Sequence, residues 1–205
     1  MNAGVPNAAA GDAATALRLA VLAGGRSRRM GEPKAGVELG GRPLIEHVLG
    51  AARLARLAPF VVAREASELP PLRCPVLIEP EGPVHPLNGI VAALEHAAAP
   101  LVVVACDVPL VPSELLAELA RRRAAFAMPL APRPQPLVAR YSPGLLPRLR
   151  EALAGEEPVT AVAERLRGDG LSRAELRGFG DPERMFLNVN DRDELATIET
   201  LLSGG

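Results

Sequence analysis

The sequence predicts an α/β protein: a three-layer αβα architecture with a central, mostly parallel sheet. Three observations lead there. Short apolar runs alternate with helix-length segments from residue 18 onward. Right-handed crossovers between such strands cover both faces of a sheet. The chain, at 205 residues with 48% hydrophobic and 23% charged residues, can bury one substantial core.

Residues 1–17 (MNAGVPNAAAGDAATAL) have no positive n-region and no continuous apolar h-region. They read as a disordered, dispensable leader rather than a signal peptide. Buried strands are expected at 18–22, 59–63, 75–78, 101–105 and 124–128. Helices are expected at 43–57, 87–98, 112–123, 143–154, 159–167 and 191–202. Pro112 and Ser113 make a fair helix start. Asn190 and Asp191 are both good caps for the last helix. The proline-rich stretch 129–136 (PLAPRPQP) reads as a loop leading into an edge strand, LVARY at 137–141.

Composition excludes several classes. A net charge of −1 removes whole-surface attraction to nucleic acid or membrane as an expectation. The apolar runs fall short of the roughly 18 residues that a membrane span needs. Aromatic residues are 2% of the chain, so the core must be aliphatic. Cys74 and Cys106 lie far apart without a CxxC pattern. They read as reduced core thiols in a cytoplasmic protein, and zinc lacks clustered ligands. His47 and His96 read as helix-surface residues.

The most informative stretch is 19–34, LAVLAGGRSRRMGEPK. A buried strand feeds Gly24-Gly25, then Arg26, Arg28 and Arg29, then Gly31 and Lys34. Glycines let backbone N–H groups approach phosphate oxygens, and the cations hold the negative charge. The mononucleotide P-loop requires GxxxxGK followed by Ser or Thr, whereas Ala35 follows Lys34 here and the glycine spacing differs. The dinucleotide fingerprint GxGxxG is also missing. Asp107 directly follows the apolar run LVVVA, which puts a carboxylate at the carboxyl end of a strand, where open α/β sheets bind ligands. Metal binding and helix capping both suit such an Asp. Asn188 and Asn190 flank Val189, so an extended segment would point both amides the same way. On physics alone, site chemistry and turn or cap chemistry stay equally open for them. Asn88 and Gly89 precede a helix expected to begin near Ile90, where Asn88 could be an ordinary cap.

LAGGRSRRMGEPK resembles the signature loop of the nucleotidyltransferase superfamily with the nucleotide-diphospho-sugar-transferase type of fold. The LxGGxSxRMGxxK form is similar to that of the molybdenum cofactor guanylyltransferase (MobA-like) family. Three further segments fit in order: HPLNGI (85–90) resembles GPLxGI, CDVP (106–109) matches a strand-end Asp-x-Pro, and FLNVNDRDEL (186–195) resembles NVNxPxDL. The resemblance implies a Rossmann-like nucleotidyltransferase domain over 18–205. Its nucleotide-binding part would be about 18–128 and its acceptor-binding part 129–205.

The implied reaction transfers GMP from GTP to the terminal phosphate of a molybdopterin-type acceptor and releases pyrophosphate. Two anions must meet, so the protein's task is charge neutralisation and alignment. The resemblance implies Arg29, Lys34 and Asp107 as catalytic residues, with Mg²⁺ held by Asp107. Leu22, Ala23, Gly24, Gly25, Lys34, Asn88, Gly89, Asp107, Asn188 and Asn190 are the implied nucleotide and substrate contacts. Gln135, Pro136 and Leu137 fall where the family has acceptor-side contacts. Molybdoenzyme-maturation proteins are implied as further partners.

Three positions depart from the family pattern. Pro33 stands where Asp usually precedes the loop lysine. The carboxylate before GPLxGI would have to be Glu79 or Glu81. The final motif carries Asp191-Arg192 in place of Thr-Pro. A cytidylyltransferase for the same pterin, or a transferase for another phosphorylated acceptor, is the alternative within the class. Such relatives tend to show LAAG where this chain has LAGG. A non-catalytic nucleotide- and pterin-binding adaptor is the alternative from another class.

Overall fold

The computed structural model describes residues 17–25 and 33–203. The expected leader up to residue 16 and the loop residues Arg26, Arg28, Arg29 and Gly31 lie outside them. Leu17 extends the sheet by one bond, its carbonyl accepting from Ala58 N at 2.9 Å.

The strands are β1 (Arg18–Leu22), β2 (Glu38–Leu39), β3 (Arg42–Pro43), β4 (Ala58–Ala63), β5 (Val76–Ile78), β6 (Leu101–Ala105), β7 (Phe126–Pro129), β8 (Val138–Tyr141) and β9 (Asp169–Leu171). The helices are α1 (Leu44–Leu54), α2 (Pro86–Ala97), α3 (Ser113–Arg121), α4 (Leu146–Ala154), α5 (Val159–Leu166), α6 (Arg173–Leu176), α7 (Pro182–Met185) and α8 (Arg192–Ser203). Seven strands form one sheet in the order β5-β4-β1-β6-β8-β7-β9. The pairs β5-β4, β4-β1, β1-β6 and β7-β9 are parallel. Strand β8 runs antiparallel to both β6 and β7.

Alternation along the strands divides the core between two faces. Leu19 and Val21 of β1 pack with α1 and α3 residues such as Ile45, Leu49, Leu115 and Leu119. Ala20, with Phe60 and Val103 of neighbouring strands, packs with Leu87, Leu94 and Leu149 from α2 and α4. Each strand is therefore apolar on both sides, which is why the runs look continuous in sequence. Burial of each large aliphatic side chain stabilises by about 1.5–3 kcal/mol.

Four expectations need correction. LVARY is not an edge strand, since β8 lies between β6 and β7 with all four of its residues buried. Arg140 survives there because its guanidinium donates to Ala120 O at 3.0 Å and Ala124 O at 3.1 Å, around the carboxyl end of α3. The second helix begins at Pro86, not near Ile90, so Asn88 and Gly89 are in its first turn. Proline at the first helical position has a pre-set φ, and His85 Nδ1 caps the end by accepting from Leu87 N at 3.2 Å, a task Asn88 does not perform. His47 is half-buried, its Nε2 2.9 Å from Leu39 O, and braces the β2–β3 hairpin rather than facing water. The first helix stops at Leu54, short of residue 57, because Arg56 turns into the left-handed region at φ 57°.

A small third cluster positions the site. Val37, Leu39 and Leu44 around the hairpin pack with Val189 and with Ile198 of α8. This brings the far end of the chain against the segment that follows the glycine loop.

Candidate functional site

The parallel strands end side by side. Leu22 is in register with Val62 and with Ala105, and Ala63 with Ile78. The turns leaving β1, β4, β5 and β6 therefore open on one edge of the sheet. They line a cleft of about 960 Å³ together with Lys34, His85, Gly89 and Leu137. Its wall includes Leu22, Ala23, Gly24, Gly25, Cys106 and Asp107.

At one end three polar side chains converge. Lys34 Nζ donates to Asp107 Oδ2 and to Asn190 Oδ1, both at 2.8 Å. The Lys34 and Asp107 side chains keep 18% and 22% of their exposure, so the pair is sheltered yet reachable. The backbone fixes this geometry. Cys106 N donates to Leu22 O at 3.0 Å, tying the β6 tip to the glycine turn. Val189 N donates to Asp107 O at 2.9 Å, tying the Asn-Val-Asn segment to the same tip. Asp191 caps α8, accepting from Glu194 N at 2.9 Å, and Glu194 Oε2 accepts from Asn190 N at 2.6 Å. The capping duty falls to Asp191, which leaves the Asn190 amide for Lys34.

Cys106 is buried beside Asp107. Burial, with Asp107 adding to it, pushes its thiol up to about 12, so the nucleophilic thiolate is suppressed. Both cysteines are free.

The other end is built around Glu79, whose side chain is only 7% exposed. Gly24 and Gly89 make room for it. A Cβ on Gly24 would stand 3.3 Å from Glu79 Oε1, and one on Gly89 would stand 3.2 Å from Oε2. The close approach that Gly89 permits is therefore first of all that of Glu79. Burial pushes the Glu79 carboxyl above its ordinary range, while Arg64 and a hydrogen bond from Asn88 pull it back down. Asn88 Nδ2 also donates to Pro80 O at 3.0 Å, so this amide supports the wall from behind Gly89. Of the two candidate carboxylates, Glu79 lines the cleft and Glu81 is exposed.

The cleft thus brings together Leu22, Ala23, Gly24, Gly25, Lys34, Gly89 and Asp107, and Lys34 joins Asn190 to them. Asn88 and Asn188 are not among the residues lining it, and Asn188 is half-buried. Arg29 lies outside the described residues. Leu137 lines the cleft, while Gln135 is buried nearby in sequence with its Nε2 lacking a hydrogen-bond partner. Sequence reasoning missed Arg64 and Ser67, which also line the cleft. Ser67 Oγ donates to Ala23 O at 3.4 Å and accepts from Arg64 N at 3.1 Å, fastening the β4–β5 loop to the glycine turn.

A divalent cation is compatible with the first end. Two oxygens, one carboxylate and one amide, already converge on a single positive charge, the Lys34 ammonium. Hard oxygen donors suit Mg²⁺. Among the described residues no group of three or more His, Cys, Asp or Glu could hold a metal, so remaining ligands would come from phosphate and water. Among them, too, no helix is long and apolar enough to cross a membrane.

Comparison with known proteins gives a consistent picture. Residues 19–170 match the model of the MobA-like NTP transferase domain. The chain is 35% identical over 189 residues to a probable molybdenum cofactor guanylyltransferase of Pelotomaculum thermopropionicum, covering 88% of this chain and 91% of that one. It is 38% identical over 196 residues to the molybdenum cofactor guanylyltransferase of Cereibacter sphaeroides, covering 89% and 95%. The crystal structure of molybdopterin-guanine dinucleotide biosynthesis protein A from Archaeoglobus fulgidus superposes with a TM-score of 0.78 at 28% identity, covering 92% of this chain and all of that one, 100%.

Proposed function

The chain belongs to the family of MobA-like NTP transferase domains and is a nucleotidyltransferase, and from that premise we propose that it transfers GMP from GTP to the terminal phosphate of a molybdopterin-type acceptor. The observation that carries the reading is the Lys34–Asp107–Asn190 cluster at the tip of β6, facing the glycine turn of β1 across one cleft. The triphosphate lies along Ala23 to Gly25, with Lys34 and Arg29 as its cations. A carbon-free face at Gly25, where a Cβ would meet nothing within 4 Å, leaves space for phosphate oxygens. Asp107, together with the phosphates, would hold Mg²⁺, which would supply charge neutralisation at the reacting phosphate. An oxygen of the acceptor phosphate attacks the α-phosphorus in line. A new P–O bond forms, the α–β phosphoanhydride bond breaks, and pyrophosphate leaves. No general base is required, because the acceptor phosphate is already ionised.

Glu79 takes the place of the carboxylate that precedes GPLxGI, and it accepts from the N–H groups of guanine. Residues up to about 128 form the nucleotide part, and Leu137, with Asn188 and Asn190, the acceptor side. The LAGG sequence and the guanylyltransferase relatives favour GTP over CTP. An adaptor role is disfavoured because pure binding has no need of a metal-positioning carboxylate.

The test is pyrophosphate release from GTP with Mg²⁺ and the phosphorylated pterin, beside thermal-shift profiles with GTP, CTP, ATP and UTP. GTP at a hundredfold its dissociation constant should stabilise by about 2.7 kcal/mol. Absence of pyrophosphate release with every triphosphate would leave the adaptor reading standing.

A further inference from the structure

Arg64 and Glu79 face each other at the end of the cleft away from Lys34, and neither is fully satisfied by the chain. Arg64 Nη1 is 3.8 Å from Glu79 Oε1, too long for a hydrogen bond. Nη2 donates to Gly82 O at 3.2 Å, but Nη1 is buried with no hydrogen-bond partner. A buried donor left unmet is costly, and few persist without a reason. Asn88 gives Glu79 one hydrogen bond, yet a carboxylate offers about four acceptor positions. An unmet donor and an under-used acceptor therefore stand side by side.

Both side chains touch the glycine turn. A Cβ on Gly24 would lie 3.2 Å from Arg64 Cγ, as well as against Glu79. The backbone that carries Arg64 is pinned through Ser67 to Ala23. The pair is a built wall of the cleft rather than a surface contact.

We propose that Arg64 is a specificity-determining residue: its guanidinium donates to the 6-oxo group of guanine while Glu79 accepts from the adjacent N1–H and N2–H groups. The inference rests on the GTP reading above. Guanine alone among the common bases shows two neighbouring donors followed by an acceptor on this edge, which suits a carboxylate beside a guanidinium. Adenine would set its ring N1 acceptor against the carboxylate and its amino group against the arginine. Both contacts would be mismatched, so the pair rejects as well as selects.

The experiment measures nucleotide affinities by calorimetry for the wild type, Arg64→Met, Arg64→Lys and Glu79→Gln, with folding checked by melting. For the wild type, GTP is expected to bind at least about 100-fold tighter than ATP. Arg64→Met should cut that ratio by about tenfold or more, and Arg64→Lys, which keeps a charged donor, should recover part of it. 2-Aminopurine riboside triphosphate, which lacks the oxo group, should bind wild type and Arg64→Met alike. An unchanged GTP-to-ATP ratio in a folded Arg64→Met protein would overturn the role of Arg64, whatever Glu79→Gln does. A wild type that does not prefer GTP would instead overturn the guanine reading itself.

Discussion

The two ends of the cleft are built on opposite principles. At the Lys34 end the polar groups are mutually satisfied: one ammonium is shared between a carboxylate and an amide at 2.8 Å each. At the Glu79 end the carboxylate is more deeply buried and the charges are less well bonded, with a 3.8 Å ion pair and an unmet Arg64 Nη1. On the proposed reading the satisfied end exchanges partners when a triphosphate arrives, because the same oxygens and ammonium would then serve the reaction. The unsatisfied end keeps donors and acceptors in place for a ligand whose own groups complete them. The proposed function would thus place charge handling and base selection at separate ends of one groove, which suits a reaction whose barrier is electrostatic.

Substitutions should break the two ends in different ways. Lys34→Ala and Asp107→Ala are each expected to lower turnover on the order of 10²–10³-fold or more, with melting close to wild type. Pyrophosphate release and circular dichroism check this, and normal magnesium-dependent turnover in Asp107→Ala would remove the metal assignment.

Gly89→Ala should act at the other end. Its new methyl would meet Leu22 Cδ2 at 3.1 Å and Glu79 Oε2 at 3.2 Å. Displacing the carboxylate should weaken GTP binding by about 1–3 kcal/mol while leaving kcat at saturation largely intact. Steady-state kinetics separates the two.

A pH series sharpens the contrast further. The folded Glu79 carboxyl titrates above its unfolded value, because burial disfavours its charge. It therefore contributes stability below the unfolded pKa that is lost as pH rises through the folded one. The Tm of the wild type relative to Glu79→Gln should fall as pH increases from about 4 to neutrality. GTP affinity should move the opposite way, strengthening as the carboxylate ionises.

The smallest effect lies outside the cleft. Arg122 bridges Glu118, Asp169 and Glu175, joining α3 to β9 and α6. Arg122→Ala should cost about 1 kcal/mol, or about 2–4 °C in Tm, with turnover unchanged.

Much of this could be read from the sequence, and the exceptions have physical causes. β1, β4 and β6 announce themselves because strands buried on both faces are continuous apolar runs. The β2–β3 hairpin has two-residue strands around Gly40 and Gly41, whose φ values of 56° and 74° shape the turn, and it is too short for any periodicity. β9 reads Asp-Gly-Leu, yet its glycine is the clue: a Cβ on Gly170 would fall 2.4 Å from Leu130 Cδ1. The place of β8 inside the sheet could not be read locally, because Arg140 looks like an edge residue until the α3 carbonyls reach it. Around the cleft, Lys34 stands out through the glycine-rich loop it follows and Asp107 through its place at a strand end, whereas the spacing of Asn190 leaves capping equally open and only the family resemblance points it to the site. Arg64 does not, since an arginine after a strand is ordinary, and its meaning comes only from the carboxylate folded against it.

One bond has a consequence for how the protein comes into being. Lys34 and Asn190 are 156 positions apart, and Val189 fastens the second to the strand tip through its peptide group. A growing polypeptide halted before that valine would possess the glycine turn, the lysine and the aspartate, but not the clasp that closes them. The Lys34–Asp107–Asn190 cluster therefore closes only once Val189 and Asn190 have been made and folded back, and a fragment that stops short of them lacks the finished arrangement.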